Sequence, residues 1–203
     1  MSSEQERLLV ATHNEGKVTE YRELLAGINV RLVKLSDVGI RWDVEETGNS
    51  FLENAVLKAT VYARASKLLT LADDSGLEVD ALNGEPGVRT ARFGGNGLSS
   101  VQRYRLLLQK LEAIPWPNRS ARFCCVVALA DSDDVITTAS GTIEGRIALE
   151  PSGTAGFGYD PIFYVPEAGV TMAELPAAVK NRISHRARAL AALRDRLEQV
   201  LAR

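Results

Sequence analysis

Two adjacent carboxylates follow a short apolar run in the first half of this chain. The run at Leu71 and Ala72 predicts a buried strand, and Asp73, Asp74 and Ser75 come directly after it. Carboxylate oxygens at the carboxyl end of a sheet strand suit Mg²⁺, which commonly bridges protein and phosphate oxygens. The same residues also fit a strand-terminating turn in which Asp and Ser cap backbone groups. Taken alone, the segment favours neither interpretation.

A second polar segment stands where an apolar strand at residues 8–11 gives way to a helix. It consists of Thr12, His13, Asn14, Glu15, Gly16 and Lys17. The positive end of a helix favours an anion, Gly16 permits close backbone approach, and Lys17 adds a full charge. It is not a Walker A loop, because Ala11 replaces that motif's first Gly and Val18 its Ser or Thr. A phosphate site and a capped helix start with a solvated Lys17 both fit.

Further polar residues flank the next predicted helix. Glu45 and Glu46 precede it, Ser50 caps it, and Lys58 lies within it. A solvated helix face is the simplest interpretation of this segment by itself.

Two later segments carry aromatic and cationic side chains. The first consists of Phe157, Gly158, Tyr159 and Asp160. There a flat base could lie on the Phe157 ring and donate an N–H to Asp160, although a loop with packing aromatics fits as well. The second contains Lys180, His185 and Arg186. Cations are unfavourable in the first turn of a helix, so this placement points weakly to function.

The elements that must position these residues alternate between strands and helices. We expect strands at residues 8–11, 30–35, 71–72, 123–130 and 135–147, and helices at residues 15–25, 50–69, 100–111 and from 184 onwards. An acidic hairpin turn at residues 131–134 joins the two long strands. This order predicts an α/β fold of a single domain over residues 1–203, with a short extension at residues 1–7.

Composition narrows the functional classes. The net charge of −2 argues against a broad basic surface for duplex nucleic acid. The chain has no apolar run of about 18 residues to span a membrane, and residues 1–7 lack the apolar stretch of a signal peptide. Cys124 and Cys125 are adjacent and would point to opposite faces of a strand, so we expect reduced thiols and a cytoplasmic location.

Taken together and in this order, these segments resemble the Ham1-like, or inosine triphosphatase, family. That family hydrolyses non-standard purine nucleoside triphosphates. The resemblance runs from Leu8 to about Leu197 and includes Glu53-Asn54-Ala55, Gly87, Ala91-Arg92 and the motifs above. It implies an elongated mixed sheet flanked by helices, two lobes with a central substrate cleft, and a homodimer.

The resemblance also implies roles for individual residues. Asp74 is the expected general base and a Mg²⁺ ligand, with Glu45 as the second metal-linked acid and Lys17 as a catalytic cation. Glu46, Lys58 and Asp73 are expected to support them. Substrate contacts are expected from Thr12, His13, Asn14, Glu15, Gly16, Lys17 and Ser75. Base recognition is expected from Phe157, Gly158, Tyr159, Asp160, Lys180, His185 and Arg186.

Two other functions remain open at this stage. One is a Maf-like pyrophosphatase acting on other modified nucleotides, against which the Phe157–Asp160 and His185–Arg186 segments argue. The other is a protein that binds a nucleotide without hydrolysing it, against which the intact Asp74, Glu45 and Lys17 argue. The expected ITP, dITP or XTP substrate would be cleaved to the monophosphate and pyrophosphate, with no organic cofactor.

Overall fold

A computed structural model describes residues 5–202, and over that range the α/β class is confirmed. The strands are β1 (Arg7–Val10), β2 (Arg31–Lys34), β3 (Leu69–Val79), β4 (Ser120–Ala130), β5 (Val135–Ile147), β6 (Phe163–Val165) and β7 (Val170–Thr171). The α-helices are α1 (Glu15–Leu24), α2 (Phe51–Ser66), α3 (Ser100–Lys110), α4 (Ala177–Ile183) and α5 (His185–Leu201).

The strands form one mixed sheet in the order β2-β1-β3-β4-β5-β6-β7. β1 pairs in parallel with both β2 and β3, whereas β6 is antiparallel to β5 and to β7. The parallel pairs explain why β1 reads as a continuous apolar run, since such strands are buried on both faces.

The chain divides into two compact units. Unit 1 comprises the described residues of Met1–Asp74, Cys125–Gly141 and Arg186–Arg203; unit 2 comprises Ser75–Cys124 and Thr142–His185. Unit 1 contains two apolar clusters, which include Leu8 and Leu9 respectively. Unit 2 contains one, in which Leu77, Phe123 and Phe163 are buried.

Local capping sets the start of the helices that carry polar side chains. The Asn14 side chain accepts a hydrogen bond from the Lys17 N–H at 3.2 Å and caps α1. Ser50 accepts from the Glu53 N–H at 3.2 Å and caps α2. The predicted starts of both helices are therefore confirmed, because Ser and Asn side chains satisfy N–H groups that the helix leaves open.

The main error of the sequence analysis concerns β3. We expected the strand to end before Asp73, but it continues to Val79. Leu77 and Val79 pack into the core of unit 2, and this burial extends the strand through residues whose types favour a turn. Asp73 and Asp74 thus lie within a strand and not at its end.

Other differences are smaller. α2 ends at Ser66 instead of about residue 69, and α4 was not predicted. Residues 1–4 of the predicted extension lie outside the described residues, and Arg7 already belongs to β1. No helix within residues 5–202 is both long enough and apolar enough to cross a membrane.

Candidate active site

A group of mostly charged side chains is gathered within unit 1. We call it the charged cluster, and it consists of Lys17, Glu20, Glu46, Asn54, Lys58, Asp73, Asp74 and Arg186. β3 supplies the two aspartates, while α1, α2 and α5 supply most of their partners. The cluster therefore depends on several elements that are far apart in the sequence.

Asp73 is a buried carboxylate held by two cations. Its Oδ2 lies 2.9 Å from the Lys17 Nζ and 3.0 Å from the Arg186 Nη2. Burial alone would raise the pKa of Asp73, but the charges of Lys17 and Arg186 outweigh it and hold the pKa well below its usual range. Asp73 is thus a permanent anion and a poor candidate for a proton acceptor.

The pKa of Asp74 is shifted in the opposite direction. Burial raises its pKa, and Lys58 and the hydrogen bond from Asn54 only partly offset that effect. Its Oδ1 lies 3.3 Å from the Lys58 Nζ, and its Oδ2 accepts from the Asn54 Nδ2 at 3.1 Å. A carboxylate whose pKa is moved towards neutrality can accept a proton from water more readily, which suits a general base.

The structure brings Glu46, not Glu45, to this site. The Glu46 Oε1 lies 2.6 Å from the Lys58 Nζ, the same ammonium that contacts Asp74, whereas the Glu45 side chain is exposed. The predicted role of Glu45 as a metal-linked acid stays a prediction, and Glu46 is the acid that contacts Lys58. The two acids are adjacent in an irregular segment, where no periodicity tells which one turns inward.

The side chains of residues 12–17, for which substrate contacts were predicted, differ in their surroundings. Thr12 and Gly16 are half-buried, and the Asn14 side chain caps α1. The Glu15 carboxylate pairs with Lys34 at 2.8 Å. His13 contacts the Trp42 carbonyl at 3.2 Å and lies 3.6 Å from the Asp43 carboxylate. Lys17, in the first turn of α1, contacts Asp73.

Arg186 belongs to the charged cluster. It is 1% exposed, and its guanidinium donates to Asp73 and to the Glu20 carboxylate within unit 1. The guanidinium also lies 5.8 Å from the centre of the Tyr21 ring. The predicted contact of this side chain with a base stays a prediction. The contact with Glu20, a buried acid on α1, follows because buried charges require a partner.

Unit 2 holds the other predicted residues as a separate group. The Asp160 Oδ2 accepts the Phe157 N–H at 2.8 Å and lies 2.5 Å from the Lys180 Nζ. That ammonium lies 4.9 Å from the centre of the Phe157 ring. A Cβ at Gly156 would collide with the Asp160 carboxylate, so this glycine permits the turn. The turn thus holds Phe157 beside a cation.

The remaining predicted residues have mixed placements. The His185 ring stacks on Phe123, with ring centres 4.9 Å apart. Tyr159 belongs to the core of unit 2, and its hydroxyl donates to the Thr90 carbonyl at 3.1 Å. Gly158 has a positive φ of 65° in the turn, and Ser75 is half-buried on β3. The Tyr159 side chain therefore serves the core.

Three residues near the aspartates were not given a role from sequence. Asn54 and Glu20 are described above, and the Cys125 Sγ lies 3.8 Å from the Asp73 Oδ2. Both cysteines are free, as predicted, and burial raises the pKa of Cys124 to about 11. Asn54 and Glu20 could have been suspected only as polar residues beside the apolar face of a helix.

Comparison with known proteins settles the family. A profile of the Ham1 family matches residues 8–196. The chain belongs to the Ham1 family. Relatives named dITP/XTP pyrophosphatase include one from Geobacter sulfurreducens, 49% identical over 94% of this chain and 96% of that protein. Another from Geobacillus kaustophilus is 45% identical over 96% of this chain and 95% of that protein.

Solved Ham1 structures agree with the fold. A Ham1 protein from Coxiella burnetii matches with a TM-score of 0.84 and 42% identity, covering 97% of this chain and 98% of that one. A Ham1 protein from Staphylococcus aureus also gives 0.84, with 40% identity over 96% of this chain and 100% of that one. The resemblance stated from the motifs is therefore confirmed.

Proposed function

We propose that this Ham1 protein hydrolyses non-standard purine nucleoside triphosphates, such as ITP, dITP and XTP, to the monophosphate and pyrophosphate. The observation that carries the proposal is the contrast between two neighbouring aspartates. Asp73 is held as an anion by Lys17 and Arg186, while burial raises the pKa of Asp74. Titratable groups whose environments push their pKa values apart are typical of acid–base sites.

In this proposal Asp74 removes a proton from the water that attacks the α-phosphorus, and pyrophosphate leaves. Lys17, at the start of α1, stabilises the negative charge that builds up on the phosphates. Its ammonium pairs with Asp73 in the structure and can exchange that partner for a phosphate. Arg186 then remains on Asp73, so the buried carboxylate keeps a counter-charge.

The residues present fit a divalent cation such as Mg²⁺. Asp74 and Glu46 both contact the Lys58 ammonium, and the adjacent Glu45 is the acid that the family resemblance assigns to the metal. The buried Asp73 Oδ1 has no hydrogen-bond partner among residues 5–202. No group of three or more metal-binding side chains was found in that range, but Mg²⁺ often takes one or two carboxylates together with substrate phosphates. A bound Mg²⁺ would supply neutralisation of phosphate charge.

Base recognition is assigned to the group in unit 2. Phe157 offers a ring for stacking, and Lys180 and His185 can donate to the six-position oxygen of hypoxanthine or xanthine. Adenine presents an amino donor at that position and would leave these donors without an acceptor. Asp160 supports the assignment by fixing Phe157 and Lys180, and the names of the relatives support the choice of dITP and XTP.

The proposal is tested with a panel of ITP, dITP, XTP, ATP and GTP in the presence of Mg²⁺. We expect equal amounts of monophosphate and pyrophosphate from the first three and little product from the last two. Diphosphate with inorganic phosphate would contradict cleavage at the α-phosphorus. Binding without any product would instead support the nucleotide-binding alternative. The family match favours a Ham1-like over a Maf-like enzyme.

The homodimer and the cytoplasmic location remain predictions from the resemblance and the sequence. Sedimentation of the purified protein tests the former, and fractionation of cells tests the latter.

Lys17→Ala should lower kcat/KM for ITP by about 10- to 100-fold, as for loss of a charged hydrogen bond to phosphate. The melting temperature should change little, because Arg186 still neutralises Asp73. The matched control is Lys34→Ala. Lys34 also pairs with an acid, but that acid is the exposed Glu15 of α1. A large fall in melting temperature with normal turnover would instead mark Lys17 as structural.

A further inference from the structure

Asn54 is a fully buried polar side chain next to the general base. It lies in the first turns of α2 and is 0% exposed. A buried amide without hydrogen bonds destabilises a fold, so the hydrogen bonds of this amide indicate why a polar residue is found here. Within residues 5–202 its side chain makes hydrogen bonds with the Gly48 N–H and with the Asp74 carboxylate.

The two contacts fix the orientation of the amide. The Asn54 Oδ1 accepts the Gly48 N–H at 2.8 Å, so the Nδ2 must be the atom that faces Asp74 at 3.1 Å. A flipped amide would set two donors against each other at Gly48 and two acceptors against each other at Asp74. Gly48 also packs closely, since a Cβ there would lie 2.7 Å from the Asn54 Oδ1.

Both carboxylate oxygens of Asp74 contact donors from α2. Asn54 donates to Oδ2, and Lys58, four residues further along α2, lies 3.3 Å from Oδ1. Residues four apart share one face of a helix, so the spacing places both donors along one carboxylate. A carboxylate that is held at each oxygen by a different donor has little freedom to rotate about its final bond.

We propose that Asn54 is a positioning residue. Its Oδ1 accepts the Gly48 N–H, which aims the amide Nδ2 at Asp74 and fixes the plane of the carboxylate that takes a proton from the attacking water. This inference rests on the proposed function, because it requires Asp74 to act as the base. Asn54 acts through Asp74 and does not itself touch the substrate. Its loss should therefore lower kcat and leave KM nearly unchanged.

Two variants separate positioning from simple capping of the loop. Asn54→Asp keeps the size and the acceptor for the Gly48 N–H but replaces the donor to Asp74 by an acceptor. Asn54→Leu is similar in volume, carries no charge and removes both hydrogen bonds. If Asn54 only caps the loop, the Asp variant should work and the Leu variant should fail. If it positions Asp74, both should fail.

We expect both variants to lose about tenfold or more in kcat for ITP, as for displacement of a catalytic group, with KM within about twofold of the parent value. Glu53→Gln is the matched control. Glu53 is the preceding residue, its Oε2 accepts the Asn49 N–H at 2.7 Å, and the variant keeps an acceptor there. It should keep the parental kcat.

The outcomes are distinct. A normal kcat in a folded Asn54→Asp, checked by its melting curve, would overturn the proposal, as would a loss confined to KM in either variant. If Asn54→Leu does not fold, Asn54→Asp alone decides. An inactive parent protein in the same assay would instead refute the proposed function, and this inference would fall with it.

Discussion

Asp74→Asn should reduce kcat for ITP by about 100-fold or more, the usual scale for removal of a general base. The change keeps the size of the side chain and its contact with the Asn54 amide through the remaining oxygen. It removes the proton acceptor and one negative charge from the site proposed for Mg²⁺. The measurement is single-turnover hydrolysis of ITP at saturating Mg²⁺, so that weaker metal binding does not limit the rate.

The stability of this variant provides an independent check. Burial raises the pKa of Asp74, which means that the folded state disfavours its charged form. A neutral Asn should therefore leave the melting temperature unchanged or slightly higher. Asp73→Asn should behave differently, because it strips a carboxylate from the buried cations of Lys17 and Arg186 and should destabilise the fold. Near-normal turnover in a folded Asp74→Asn would refute its assignment as the base.

The regular elements were predictable wherever local periodicity and capping agreed with burial. α1 and β5 have the expected starts, because Asn14 caps the former and a long extended run of residues marks the latter. β3 was predicted too short, because Asp-Asp-Ser-Gly has the composition of a turn. Its continuation depends on the burial of Leu77 and Val79 in unit 2, and local sequence carries no record of that contact.

The sequence identified several residues that the structure brings together, but it did not predict which side chains contact each other. Lys17, Asp73 and Asp74 were named, and the structure brings them together. The family resemblance pointed to Glu45 as the metal-linked acid, which stays a prediction, while the contact of the adjacent Glu46 with Lys58 was not foreseen. Asn54 lies in the Glu53-Asn54-Ala55 motif but had no predicted role, because its orientation depends on the backbone N–H of Gly48.

His185 and Arg186 show that neighbours in the sequence can have different contacts. They are adjacent and were assigned one common role, yet His185 belongs to unit 2 and Arg186 to unit 1. His185 stacks on Phe123, while the guanidinium of Arg186 pairs with Asp73 and Glu20. Neighbouring side chains at the start of α5 point in different directions around the helix, so adjacency in sequence does not imply a shared ligand.

Arg186→Ala should lower the free energy of unfolding by about 3–5 kcal/mol, the scale for removing one partner of a buried ion pair. The variant removes the guanidinium from the buried carboxylates of Glu20 and Asp73, while Lys17 stays in contact with Asp73. For a protein of this size the loss corresponds to roughly 10 °C in melting temperature. Adding Glu20→Gln to Arg186→Ala should restore part of the lost stability, because the buried negative charge is then gone.

The same variant decides between two roles for Arg186 in substrate choice. The sequence-based expectation is that Arg186 donates to the six-position oxygen. In that case the variant should lose ~2 kcal/mol or more of transition-state stabilisation for ITP hydrolysis, while the slow rate of ATP hydrolysis hardly changes. The observed contacts instead predict that kcat/KM falls by the same factor for ITP and ATP, since Arg186 holds Asp73 and, through it, the site of Lys17. Both rates are measured below the melting temperature of the variant, so that unfolding does not enter. An equal loss assigns Arg186 to the charged cluster, and a selective loss for ITP returns it to base recognition.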